Sequence, residues 1–239
     1  MNSPATARSS YHHGDLRNAL ARAAAELAAT GGPDAVTIRG AAREVGVTPT
    51  AAYRHFANQG DLLEAARGLA MDGMVAAMAD FLQRVPADGD PVARALARLR
   101  STGRGYIRFA LQEPGIFRTC FTGRLREPAA GAGDGAGDRA GAGPGMGDPA
   151  PYLLLGEMLD ELVAVGYLAP EDRPGAEAGP WAAVHGLAML LVDGPLKDMP
   201  EADREAAIER TLDMTSRGLA TGPASVQGRS PEGPLGSAG

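Results

Sequence analysis

A short polar segment near the start of the chain carries the side chains best suited to contact nucleic acid. Thr48, Thr50, Tyr53, Arg54 and His55 fall within eight residues. Their hydroxyl, guanidinium and imidazole groups can hydrogen-bond to phosphate oxygens, and an arginine can also donate two bonds to the edge of a guanine. This concentration of donors indicates DNA binding, provided that one helix presents them on the same side.

The residues around this segment predict two short helices joined by a tight turn. Apolar residues recur at i, i+4 and i+7 from Ile38 to Val45, and Gly46 follows where a helix end favours a residue that tolerates positive φ. Thr48 can cap a second helix, and Pro49 suits its first position because proline lacks an N–H. Such a pair is a helix-turn-helix, whose second helix lies in the major groove. The motif spans residues 37–56.

The segment Val47–Phe56, with the sequence VTPTAAYRHF, resembles the recognition helix of the TetR family of bacterial transcriptional regulators. The flanking residues agree: an amphipathic helix precedes it and stops at Gly31-Gly32-Pro33, and Asn58 can cap a long helix that follows. The resemblance covers about residues 15–70. It implies an all-α protein, with a three-helix DNA-binding domain followed by a helical domain that binds a ligand and forms a homodimer.

Helix geometry and the resemblance together give the candidate contacts to double-stranded DNA. They lie on the outer face of the second helix and at the starts of the helices on either side. The candidates are Thr37, Arg39, Thr48, Pro49, Thr50, Ala51, Tyr53, Arg54, His55 and Asn58. The family usually has a lysine at the position of Gln59. The helix N-terminus and Asn58 can still contact phosphate there, but affinity should depend more on arginines elsewhere.

The distribution of charge agrees with this assignment. The chain has a net charge of −6, but six arginines against four carboxylates give residues 1–60 a charge of +2, which leaves −8 for the remainder. A positive N-terminal region can approach phosphates, while the negative remainder limits non-specific binding to DNA.

A second motif, Trp181-Ala-Ala-Val-His185-Gly186, is similar to the Trp-His-Gly signature of one C-terminal domain type among TetR-like regulators. Trp181 and His185 are four residues apart, so they share one helix face. Two interpretations are open: both side chains pack in the core, or they contact a ligand directly.

Large apolar side chains from several predicted helices give a candidate pocket for a small apolar or amphipathic effector. The candidates are Met71, Met74, Met78, Tyr106, Phe109, Phe117, Phe121, Trp181 and His185. Methionine and aromatic residues at helical spacing also form ordinary cores, which is the alternative interpretation.

The composition and the resemblance together predict two domains and a tail. We expect a DNA-binding domain over residues 1–60, a helical ligand-binding and dimerisation domain over 61–221, and a disordered tail over 222–239. Residues 128–151 are almost entirely Gly, Ala, Pro and Asp, which predicts a flexible loop within the second domain. The resemblance implies that helices near 180–192 and 201–218 form the dimer contact.

The sequence gives little support for a membrane protein, a secreted protein or an enzyme. No run approaches the roughly eighteen apolar residues of a membrane helix, and the first seventeen residues lack the apolar core of a signal peptide, so we expect a cytoplasmic protein without a membrane partner. A helical enzyme could use His185 with Asp193 and Cys120 or Ser101, but no nucleophile motif, metal-ligand spacing or phosphate-binding loop accompanies them. We therefore expect no enzyme, cofactor or metal. A ligand-independent architectural DNA-binding protein remains the main alternative, and the sequence names neither effector, operator nor target genes.

Overall fold

The computed structural model describes residues 13–121 and 150–225, and this part is helical, with no β-strand. The helices are α1 (His13–Gly31), α2 (Ile38–Val45), α3 (Pro49–Tyr53), α4 (Gln59–Gln83), α5 (Pro91–Gln112), α6 (Pro114–Phe121), α7 (Ala150–Ala164), α8 (Ala178–Val192) and α9 (Glu201–Gly218). The all-α prediction is confirmed. Within the described ranges, none of these helices is both long and apolar enough to cross a membrane.

The helices form two compact units. Among the described residues, unit 1 contains 13–70 and 113–121, and unit 2 contains 71–112 and 150–225. The core of unit 1 consists mainly of alanines from α1 and α2, closed by a few larger side chains: Leu20, Val36, Ile38, Phe56 and Leu62. Because alanine side chains are small, the helix backbones can approach closely around this core.

Unit 1 is larger than the predicted DNA-binding domain, because it continues to Ala70 and includes α6. Helix α6 belongs to unit 1 because it approaches α1 closely. A Cβ atom placed on Gly115 would lie only 2.2 Å from the carbonyl oxygen of Ala29 and 2.3 Å from that of Ala28. Glycine is therefore required where the two helices cross, and this long-range contact has no signature in the local sequence.

In unit 2, α5 packs against α7, α8 and α9. Leucines from α7 and its neighbours supply most of one core cluster, together with Ala95 and Met158: Leu82, Leu99, Leu155, Leu159, Leu162, Leu168 and Leu219. The helices expected near 180–192 and 201–218 are observed as α8 and α9, and α8 begins two residues earlier than expected.

Arginines of α5 face carboxylates of α9 along the same contact. Arg100 pairs with Glu209 at 3.0 Å and with Asp213 at 3.1 Å, and Arg108 pairs with Glu205 at 2.8 Å. Arg104 lies between them and pairs with both Glu205 and Glu209. These side chains are partly exposed, so each pair contributes at most about 1 kcal/mol. The pairs follow one another in regular order along the contact between α5 and α9.

The predicted loop and tail lie largely outside the described residues, at 122–149 and 226–239. The end of the predicted loop and the start of the predicted tail lie within the described residues. Helix α7 begins at Ala150, one residue before the predicted end of the loop. The predicted tail includes Gly222 and Ala224, whose N–H groups donate to the carbonyls of Tyr167 at 2.8 Å and Gly166 at 2.9 Å. This part of the predicted tail is therefore hydrogen-bonded to the segment that follows α7.

Candidate nucleic-acid interface and apolar cavity

Backbone hydrogen bonds determine the turn between α2 and α3. Gly46 has φ 76°, in the left-handed region that favours glycine. Its N–H donates to the carbonyl of Arg43 at 3.2 Å, and the N–H of Val47 donates to that of Ala42 at 2.9 Å. This pair of bonds is a Schellman motif, which satisfies carbonyls at the end of a helix and reverses the chain. Helix α3 starts three residues later.

Helix α3 has one buried and one exposed side. Ala52 and Phe56 belong to the core of unit 1. Thr48, Pro49, Thr50, Tyr53 and Arg54 are exposed, while Ala51 and His55 are half-buried. We call these seven residues the recognition surface. All seven are among the predicted DNA contacts and lie outside the core of unit 1; α3 contains four of them, and Thr48, Arg54 and His55 flank it.

Two threonines of the predicted site cap helices and still keep a proton to donate. Thr37 Oγ1 accepts the N–H of Gly40 at 3.0 Å, and Thr48 Oγ1 accepts that of Ala51 at 3.2 Å. A hydroxyl has one O–H donor besides its lone pairs. Because capping uses a lone pair, each O–H remains available for a phosphate oxygen.

A shallow depression beside the recognition surface gathers the remaining predicted contacts. Its lining includes Thr37, Arg39, Tyr53, Asn58 and Gln59. Asn58 Oδ1 accepts the N–H of Asp61 at 2.9 Å and thereby caps α4, and the first residues of α2 and α4 border this depression. The positive ends of the two helix dipoles can attract a phosphate there, although position 59 carries no lysine.

Arg17 in α1 contributes to this region, although it is absent from the predicted site. Its Nη1 donates to the carbonyl of His55 at 2.9 Å, and its guanidinium carbon lies 4.5 Å from the centre of the Phe56 ring. These contacts attach the C-terminal end of the recognition surface to α1. No local pattern indicates them, because 38 residues separate Arg17 from His55.

The described residues of unit 2 leave a small, partly open apolar cavity of about 40 Å³. Its lining comes from five helices: Met78, Leu99, Arg100, Thr102, Gly103, Tyr106, Pro151, Leu155, Pro180, Trp181, Val184, Leu212, Thr215 and Ser216. We call this space the apolar cavity. In this conformation it has room for about one or two water molecules.

Comparison with known proteins identifies the family. The model described as bacterial regulatory proteins, tetR family, matches residues 20–66. The model described as tetracyclin repressor-like, C-terminal domain, matches residues 99–215. The two matches cover both units in the expected order. The chain belongs to the TetR family.

Solved structures of low sequence identity share this fold. A protein of unknown function from Rhodococcus sp. RHA1 is 24% identical, with TM-score 0.63, covering 90% of this chain and 100% of that one. A TetR family transcription regulator from Marinobacter aquaeolei VT8 is 18% identical, with TM-score 0.54 and coverage of 84% and 95%. One from Streptomyces coelicolor is 19% identical, with TM-score 0.50 and coverage of 90% and 83%. No curated protein matches significantly.

As a member of the TetR family, the chain is a DNA-binding transcriptional regulator and not an enzyme. His185, the residue on which an enzyme could have been based, belongs to an aromatic cluster. Its Nδ1 shares a hydrogen bond of 2.8 Å with the hydroxyl of Tyr106, and its ring stacks on Trp181 with centroids 6.1 Å apart. Burial lowers the pKa of His185, so its neutral form is favoured.

The predicted effector residues of this TetR-family chain fall into separate groups. Met78, Tyr106 and Trp181 line the apolar cavity, and His185 contacts two of them. The others are outside its lining. Met71, Met74 and Phe109 are buried elsewhere in unit 2, whereas Phe117 and Phe121 belong to unit 1, where their rings contact each other with centroids 5.1 Å apart.

One signal for the cavity was present in the sequence, since Leu99, Gly103 and Tyr106 share a face of α5. The residues that α7 and α9 contribute to the cavity lining have no such signal in the sequence. They are far from α5 along the chain, and only the tertiary packing brings Leu155 and Leu212 to the same cavity.

Cys120 is a buried structural residue in unit 1. Burial raises the pKa of its thiol to about 12, despite the opposing charge of Arg67. Arg67 is itself buried, and its Nε donates to the Cys120 carbonyl at 2.8 Å. Because the thiolate is the reactive form, this cysteine is poorly suited to sense oxidants.

Proposed function

We propose that the protein is a cytoplasmic homodimeric repressor that binds a pseudo-palindromic operator through two recognition surfaces and leaves it when unit 2 binds a small molecule. The observation that carries the proposal is the recognition surface itself. Its hydroxyl, phenol and guanidinium groups are exposed on and beside α3. Ala52 of α3 and the nearby Phe56 are buried in the core of unit 1 and hold the helix in place. Such a rigid base suits contacts to base edges as well as to phosphates.

Two copies are needed because α3 is short. With five helical residues, one α3 can contact only a few base pairs. Helix-turn-helix proteins gain specificity by placing two such helices about 34–36 Å apart, in successive major grooves. The two half-sites are then related by the symmetry of the dimer.

Helices α8 and α9 offer a surface for dimerisation. Met189 and Leu190 of α8 are 38% and 42% exposed, and Met214 of α9 is 62% exposed. Small residues on the same side of α8 would let a partner helix approach closely: Gly179, Ala182, Ala183 and Gly186. Clustered exposed apolar side chains of this kind favour an interface between protein chains.

A matched pair of variants tests this surface. Leu190→Glu places a charge in the proposed interface and should convert the dimer to monomer in sedimentation velocity experiments. Leu69→Glu alters a leucine of unit 1 with nearly the same exposure, 39%, and should leave the dimer intact. A dimer that survives Leu190→Glu, or that dissociates equally in both variants, would exclude this interface.

Transcription in vitro tests the regulatory direction. Duplexes bound by the protein would first be selected from a random pool and placed across a promoter. Added protein should then lower transcript yield, and Arg54→Ala should not. An increase in transcript would identify an activator instead. Undiminished binding of the selected duplex by Arg54→Ala would contradict the recognition surface.

Ligand-independent DNA binding is the second candidate function, and the size of the apolar cavity favours it. About 40 Å³ is well below the roughly 150 Å³ that accommodates benzene. A repressor must therefore open the cavity to take its effector, whereas an architectural protein would keep it closed. A ligand that binds the folded state raises the melting temperature, so a thermal-shift screen separates the two.

A further inference from the structure

A cation from another helix lies at the C-terminal end of the recognition surface. Arg17 of α1 donates through Nη1 to the carbonyl of His55 at 2.9 Å, and His55 is the last residue of that surface. The guanidinium carbon of Arg17 also lies 4.5 Å from the centre of the Phe56 ring, which directly follows the surface. These two distances place a positive charge next to the residues that are proposed to contact DNA.

The bond to His55 uses only part of this guanidinium. An arginine has five N–H donors in a rigid planar fork, and the carbonyl of His55 is bonded to Nη1. The Arg17 side chain is exposed. A phosphate oxygen that approaches this end of the surface therefore meets a guanidinium with further N–H groups to donate.

The contacts that hold Arg17 do not neutralise its charge. A peptide carbonyl and a phenyl ring hold the side chain, and both are uncharged. The arginines of α5 differ in this respect, since Arg100 is held by Glu209 at 3.0 Å and by Asp213 at 3.1 Å. An anion that approaches Arg100 must compete with two carboxylates. At Arg17 it meets a cation that neutral groups already orient, so less side-chain entropy is lost on binding.

The size of α3 explains why a donor beyond its end is useful. Its five residues span only about 8 Å at 1.5 Å per residue. The major groove is about 12 Å wide, and phosphates border it on both sides. Side chains that extend beyond the ends of α3 are therefore well placed to reach phosphates, and Arg17 provides such a side chain after its C-terminal end.

We propose that Arg17 bridges the recognition surface and the operator: one N–H group holds the carbonyl of His55, and others donate to a phosphate oxygen. The inference rests on the proposed recognition surface and adds a residue of α1 to it. A guanidinium suits this function because it stays charged and its fork matches the oxygens of a phosphate. Phosphate contacts position a protein on the duplex without selecting its sequence, so Arg17 should strengthen binding to different operators alike.

The salt dependence of operator binding tests this contact. Arg17→Gln keeps an N–H donor but removes the charge, and it should weaken binding at least about tenfold through loss of charge-assisted hydrogen bonds. Each phosphate contact adds about 0.9 to the slope of log K against log salt concentration, so the slope should fall by about 1.8 for the two chains of a dimer. Weaker binding with an unchanged slope would mean that Arg17 only holds His55, and would overturn the phosphate contact.

Two further variants control for charge. Arg22→Gln removes another exposed arginine of α1, five residues further on and about 140° around the helix from Arg17. It changes the net charge equally and should leave the slope as in the wild type. Arg17→Lys keeps a cation and should also retain that slope. A fall in either control as large as in Arg17→Gln would count against the contact.

Uncharged phosphate analogues locate the contact on the DNA. A methylphosphonate replaces one charged phosphate, and it can be placed at each position of a selected duplex in turn. At one position per half-site, this change should weaken binding by the wild type by about tenfold but binding by Arg17→Gln by less than about threefold, because the partner is already absent. Equal losses in both proteins at every position would refute the inference.

Arg54→Ala separates failure of this inference from failure of the proposed function. If Arg54→Ala loses operator affinity while Arg17→Gln keeps the affinity and slope of the wild type, the recognition surface stands and the Arg17 contact is wrong. If neither variant differs from the wild type, the recognition surface itself is wrong. Melting curves show whether each variant folds. Arg17→Met, which keeps an apolar stem next to Phe56, takes the place of Arg17→Gln in the same comparisons if the glutamine variant is unfolded.

Discussion

Hydroxyl side chains in the two units present opposite hydrogen-bonding character to their surroundings. In unit 1, Thr37 and Thr48 stand before helices and accept backbone N–H groups, which leaves their protons to donate. In unit 2, Thr102 and Ser216 stand inside helices and donate to carbonyls, which leaves lone pairs to accept. Position along a helix, rather than residue type, thus decides whether a hydroxyl keeps its proton or its lone pairs for other partners.

The largest expected effect tests whether α6 belongs with unit 1. Gly115→Ala would bring a methyl group against the α1 backbone, so we expect it to lower the free energy of unfolding by about 3 kcal/mol. Gly68→Ala is the control, because open space surrounds that helical glycine and alanine should stabilise by about 0.5–1 kcal/mol. Chemical denaturation monitored by circular dichroism measures both. Equal stability of the two variants would show that α1 and α6 do not cross as described.

Arg54→Ala should have the next largest effect, and only on DNA binding. We expect operator affinity to fall by about 1–3 kcal/mol through loss of base or phosphate contacts. The melting temperature should not change, because Arg54 is exposed. Fluorescence anisotropy with a labelled operator measures the affinity. Arg84→Ala removes another exposed arginine, the residue after α4, and should bind like the wild type. A matching loss in that variant would indicate a general charge effect.

Thr48→Asp separates the two functions of the capping hydroxyl. An aspartate caps helices as well as threonine does and interacts favourably with the helix dipole, so unfolding should change by less than about 0.5 kcal/mol. However, it has no proton to donate and repels phosphate, and operator affinity should fall at least about tenfold. Thr48→Ser should preserve both properties. If Thr48→Asp binds the operator normally, the O–H of Thr48 contacts no phosphate.

The smallest effect concerns His185 in unit 2. Burial lowers the pKa of His185 below its ordinary value of 6.5, so the unfolded chain takes up a proton at a higher pH than the folded one. Stability contributed by the neutral ring is therefore present above pH 6.5 and is lost as the pH falls towards the folded pKa. The melting temperature of the wild type should fall more between pH 7 and pH 5 than that of His185→Asn. Parallel curves would mean that His185 titrates as in water.

The sequence predicts unit 1 better than unit 2 for a physical reason. Gly46, Thr48 and Pro49 act on backbone groups within three or four residues, so the turn, both caps and the exposed side of α3 follow from local rules. The apolar cavity combines Met78, Tyr106 and Trp181, which were predicted, with residues such as Leu155 and Leu212 that only tertiary packing brings together. The same limit applies to Arg17 and Gly115. The Trp-His-Gly subtype, the DNA contacts and the dimer helices remain predictions.

Binding to whole and half operators tests the central claim most directly. For a selected duplex, the account predicts two chains bound per pseudo-palindrome, with half-site centres about 34–36 Å apart, and binding to an isolated half-site weaker by at least about a hundredfold. Mass photometry gives the stoichiometry, and anisotropy gives the affinities. A single chain that binds one half-site as tightly as two chains bind the whole operator would contradict the account.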